Sequence, residues 1–69
     1  MTPFRFADTV FNPQAIVYVT KDTREMKTRT DYFVTVFLRM GPPVSLRVID
    51  PIEQEGTLQD FLAAWLRSL

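Results

Sequence analysis

A chain of 69 residues with eight Lys/Arg, eight Asp/Glu, no cysteine and no histidine excludes a disulfide scaffold and the usual structural zinc sites, and its zero net charge gives no overall pull toward nucleic acid. Its 46% hydrophobic and 13% aromatic content belongs to a folded domain rather than a disordered tail. A single domain spanning residues 1–69 buries only about 60% of its unfolded surface, so its stability margin is thin, and association with another chain is the one staple left to it.

The opening stretch MTPFRFADTV lacks the charged start, long apolar run and small-residue cleavage site of a secretory signal, so a cytoplasmic location is expected. PFRF (3–6) suits a short strand followed by a turn around residues 7–9, and Asn12 before Pro13 initiates another turn. QAIVYVT (14–20) is rich in β-branched and aromatic residues and apolar on both parities, the pattern of a strand covered on both faces. KDTREMKTRT (21–30) is the most polar segment. Ten residues exceed the usual two to five of a hairpin loop, so the segment is expected to be a mobile loop or a projecting ribbon made by its flanking strands.

DYFVTVFLRM (31–40) alternates as a strand, with Tyr32, Val34, Val36, Leu38 and Met40 on one face and Phe33, Thr35, Phe37 and Arg39 on the other. The first is a core face. The second carries two phenylalanines, each worth about 1.5–3 kcal/mol if buried, which raises the question of what covers them. GPP (41–43) breaks the chain, and VSLRVI (44–49) turns Val44, Leu46 and Val48 inward and Ser45 and Arg47 outward.

DPIEQEG (50–56) reads as an acidic connector. Thr57 reads as the N-cap of a helix, with Asp60 three residues on as a variant of the capping box near the positive end of the dipole. Leu58, Phe61, Leu62, Trp65, Leu66 and Leu69 recur at helical spacing as one apolar stripe. The expected fold is α+β, an antiparallel sheet of three to four strands with one C-terminal amphipathic helix packed on one face. FLAAWL (61–66), the longest apolar run, is far shorter than the roughly 18 residues a membrane span needs, and Arg67 alone does not make a membrane-surface anchor, so no membrane partner is expected.

The residue inventory points away from catalysis. Without histidine or cysteine the commonest triads, dyads and zinc hydrolase sites cannot be assembled, and two glycines, Gly41 and Gly56, do not build a phosphate-binding loop. No catalytic residue, metal or cofactor is expected. The one surviving constellation, Asp50, Glu53, Glu55 and Asp60, has the chemistry to hold magnesium or act as an acid and base pair. Its plainer reading is a solvated acidic approach to a helix N-terminus.

If the helix takes the Tyr32/Val34/Val36/Leu38 face, then Phe33, Phe37, Arg39 and Arg47, with Ile16 or Tyr18 as further candidates, lie on the open one. The preferred reading is a protein interface, with a second copy or another protein as partner, because Phe, Tyr and Arg are enriched there. The alternative is a single-stranded nucleic-acid platform, with base stacking worth about 1–3 kcal/mol per base and Lys21, Arg24, Lys27 and Arg29 as a phosphate arm. Residues 1–49 hold seven Lys/Arg against four Asp/Glu, a net charge of +3, whereas 50–69 hold one against four, a net −3. This polarity permits an acidic partner for the first part, or head-to-tail contact between copies.

The run TVFNPQAIVYV (9–19), followed by a polar gap, a strand pair and a terminal amphipathic helix, resembles the small flagellar FlbD-type proteins. Those chains show a strand ending in Leu-Asn-Pro, two residues, then Ile and further β-branched residues; Phe11, Asn12, Pro13 and Ile16 stand at those places here. The ten-residue polar segment departs from that pattern, as does GPP where the family tends to have an Asn-Gly turn. The resemblance implies the same α+β outline and a small accessory role, with no catalytic residues to carry over.

Overall fold

The computed structural model describes residues 2–69. Its first element pair is a hairpin of β1 (Phe4–Phe6) and β2 (Thr9–Phe11), antiparallel with Phe4 opposite Phe11. Ala7 and Asp8 between them take φ of 48° and 64°, the left-handed pair that a two-residue hairpin turn needs to match the twist of its strands. The turn expected around 7–9 is present at Ala7 and Asp8, whereas Thr9 already belongs to TVF, a strand that the pattern did not announce. Asn12 then caps a single 3-10 turn, Pro13–Ala15, its Oδ1 accepting from the Gln14 N–H at 3.0 Å.

Three strands form an antiparallel meander in the order β3-β4-β5: β3 (Ile16–Glu25), β4 (Thr30–Leu38) and β5 (Val44–Val48). The polar segment 21–30 is a ribbon. β3 runs to Glu25 and β4 starts at Thr30, with the tip closed by the Met26 N–H donating to the Arg29 carbonyl at 2.8 Å. All ten of its residues are exposed.

The expectation that residues 14–20 are covered on both faces is corrected. Ile16 pairs with Leu38 and Tyr18 with Phe37, so Val17 is the extra residue of a β-bulge. A bulge shifts parity by one. Ile16 and Val19 thereby both join the core, while Val17 and Tyr18 remain 51% and 50% exposed. The apolar character on both parities reflects this shift, not a second covering layer. β4 likewise ends at Leu38, and Met40, placed on the core face by alternation alone, is 87% exposed.

The helix α1 (Pro51–Ser68) begins seven residues before the expected start, which corrects both Thr57 as N-cap and 50–56 as a connector. Asp50 is the cap. Its Oδ1 accepts from the Glu53 N–H at 2.8 Å, and Pro51 at the first helical position has no N–H to leave unsatisfied. Gly56, the last residue of the expected connector, lies inside the helix with nothing within 4 Å of where a Cβ would stand. Gly56→Ala is expected to stabilise the protein by about 0.8–1 kcal/mol, raising the melting temperature by about 4–8 °C. A calorimetric scan showing no rise would contradict an open helical site there.

α1 crosses the face of the sheet that carries Val34, Val36, Leu46 and Val48, all buried. At its C-terminal half, Phe61 is fully buried, with ring centroids of Phe4, Phe6 and Phe11 at 5.5, 5.2 and 5.1 Å. Trp65 Nε1–H donates to the Pro13 carbonyl at 2.9 Å. At its N-terminal half, Gln54 is buried and its Nε2 donates to the carbonyls of Asp22 and Phe33 at 3.0 and 2.9 Å. The apolar stripe is narrower than its sequence spacing implies, since Leu66 and Leu69 are 70% and 59% exposed. Among the described residues no helix is long and apolar enough to cross a membrane.

Candidate interaction surface

The sheet is covered on one side only. α1 and the aromatic residues of the hairpin form the core with one face, and the opposite face is built from the alternate residues of all three strands. Along β4 these are Asp31, Phe33, Thr35 and Phe37. Pairing brings Tyr18 and Thr20 of β3 beside Phe37 and Thr35, and Ser45 and Arg47 of β5 beside Thr35 and Phe33. The sequence question about Phe33 and Phe37 thus has a structural answer: each is half-buried by its own sheet neighbours, with no layer of its own above it.

Tyr18 and Phe37 stack with centroids 4.5 Å apart and planes at 16°, an offset arrangement worth about 0.5–1.5 kcal/mol beyond area burial. Thr35 is buried between the aromatic positions, its Oγ1 at 3.5 Å from Ser45 Oγ. At the other end of the face the buried Asp31 carboxylate gathers two arginines. Its Oδ1 accepts from Arg47 Nη2 at 3.0 Å and lies 3.4 Å from Arg29 Nε. These three, with Thr30, Val48 and Ile49, line a recess of ≈ 430 Å³.

Of the four residues expected on this face, the structure brings Phe33, Phe37 and Arg47 together. Arg39 lies apart, because β4 ends one residue before it. Its N–H donates to the Ala15 carbonyl at 2.8 Å, and it lines a separate recess of ≈ 500 Å³ whose walls include Pro13, Ile16 and Trp65. Of the two further candidates, Tyr18 belongs to the face and the bulge turns Ile16 into the core. Sequence reasoning did not include Asp31. Its signal was available, an acid on the parity of Phe33 beside an outward arginine of the next strand.

The expected phosphate arm is partly neutralised from within the chain. Lys21 Nζ lies 3.3 Å from Glu55 Oε2, and Arg29 is held by Asp31, while Arg24 and Lys27 stand on the ribbon with no ion pair among the described residues. Of the acidic constellation, Asp50 caps α1 and Glu55 pairs with Lys21. Among the described residues no group of three or more acidic, histidine or cysteine side chains is placed to share a metal ion. No family model, no curated protein and no solved structure matches the chain.

Proposed function

We propose that this chain is a non-catalytic, cytoplasmic interaction protein that works through the open sheet face and binds a second copy of itself there. The observation that carries this reading is that stacked Tyr18 and Phe37 share the side of the sheet opposite α1 with Phe33 and Arg47, the two groups flanking the hydroxyl row of Thr20, Thr35 and Ser45. Charge supports it, because a patch that meets its own copy across a two-fold axis must be self-complementary. This one holds Asp31 and Arg47 side by side at the end of the face away from Tyr18 and Phe37. Two such sheets stack face to face about 10 Å apart with their side chains interdigitated.

Light scattering behind a sizing column tests the reading. Phe37→Glu places a charge at the aromatic end of the face, against Tyr18, and is expected to halve the mass seen for the parent chain while leaving the circular dichroism unchanged. An unaltered mass with intact folding would remove the face as the interface. The nucleic-acid reading is not favoured, since Lys21, Arg29 and Arg47 are engaged by carboxylates and the rings of Tyr18 and Phe37 stack on each other. Salt-dependent oligonucleotide binding lost in Phe37→Glu would replace the proposed function with that one.

A further inference from the structure

The strand order leaves β3 at an edge of the sheet, and at ten residues β3 is the longest strand of the protein. An edge strand presents unpaired N–H and C=O groups, and charged side chains are one of the means by which proteins keep such an edge from pairing. The charges on β3 have a further property. Lys21, Asp22, Thr23, Arg24 and Glu25 read positive, negative, neutral, positive, negative, and the same five residues read backwards give the opposite sign at every charged position.

Two copies laid antiparallel with Thr23 opposite Thr23 therefore place Lys21 opposite Glu25 of the second copy and Asp22 opposite its Arg24, on both sides of the centre. Opposite-charge pairs across an antiparallel ladder are stabilising, and like-charge pairs are destabilising. We propose that two copies of this chain pair through β3 in this register, joining their sheets edge to edge. This contact is independent of the open face.

The fold leaves these groups available. Asp22 accepts a hydrogen bond from the Thr20 hydroxyl at 3.1 Å and has no cationic partner among the described residues. Arg24 lies opposite Asp31 in the β3–β4 ladder, but Asp31 is taken by Arg29 and Arg47. Glu25 likewise has no ion pair among the described residues, and Lys21 meets only the exposed Glu55. Side-chain direction agrees with the register. Alternation sends Lys21 and Glu25 to the helix side and Asp22 and Arg24 to the open side, and antiparallel pairing keeps corresponding faces together. In this register Lys21 of the second copy stands opposite Glu25, so the run of its β3 back to Ile16 continues past the ribbon tip at residues 26–29.

The test uses the full chain carrying Phe37→Glu, so that the face contact is absent and the mass reports on the edge alone. Added to that background, Asp22→Arg alone and Arg24→Asp alone each set like charges opposite one another in a self-pair. Each is expected to weaken dimerisation by about tenfold or more. A one-to-one mixture of the two is expected to restore it, since every mixed pair is again of opposite sign. Independently, Thr23→Cys supplies the chain's first thiol. Opposed Cα atoms in an antiparallel ladder lie about 4.5–5.5 Å apart, within disulfide reach, so rapid oxidation to a covalent dimer is expected, with Lys27→Cys at the tip much slower. A Phe37→Glu chain that stays monomeric at millimolar concentration, a mixture no better than its components, or equal cross-linking at 23 and 27 would each overturn the edge pairing. None of these would touch the face interface.

Discussion

Phe61→Ala is expected to remove a large share of the protein's folding stability. Phe61 has no exposed surface and is the one residue against which Phe4, Phe6 and Phe11 all place their rings. Truncating a buried phenylalanine to alanine costs about 3–5 kcal/mol through lost transfer energy and the cavity left behind. A domain of this length has roughly 3–10 kcal/mol in total. The cavity has little means of closing, since its walls are rings on a hairpin only three residues long on each side. Urea unfolding followed by the fluorescence of the single tryptophan, Trp65, measures the loss. A change below about 1 kcal/mol would mean that the hairpin is not held by this cluster.

The second large effect is expected at Trp65, where two substitutions separate packing from hydrogen bonding. Trp65→Ala removes a ring packed on the core and the donor to the Pro13 carbonyl, for a cost of about 3–5 kcal/mol. Trp65→Phe keeps most of the ring and removes only the donor, so its cost is expected near 1–2 kcal/mol, chiefly from the part-buried carbonyl left without a partner. Circular dichroism during urea unfolding reads both, since the fluorophore is gone. If the two variants were equally unstable, the Pro13 bond rather than ring packing would be what ties the 3-10 turn to the helix.

The central strands were legible because their environment is simple. On β4 and β5 one face is buried and the other is not, and alternation reports that directly. Val34, Val36, Leu46 and Val48 are buried as expected, and Phe33, Phe37 and Arg47 share the other face. Errors arose where the backbone departs from alternation. The bulge at Val17 leaves no mark in composition, and Arg39 was assigned to the open face by continuing a parity past the last residue of the strand. The helix start was misjudged for a different reason. Asp50-Pro51 is itself a strong start signal, but an internal glycine and a run of acids gave 50–56 the look of a loop, and tertiary contacts through Gln54 override that local preference. The buried Asp31 depends on two arginines from different parts of the chain, a convergence that only the folded sheet creates.

The contacts between the start of the chain and α1 are the longest-range ones of this fold. Pro13 and Trp65 bond across 52 residues, and Phe4 reaches Phe61 over a still longer interval, whereas the meander pairs neighbours in sequence. The meander can pair from local contacts alone, whereas the face bearing Val34 and Val36 and the rings of Phe4, Phe6 and Phe11 are covered only by α1, which carries Phe61 and Trp65. Without α1 the sheet is wet on both sides, with apolar residues on each. The longest-range and slowest-forming contacts therefore belong to α1.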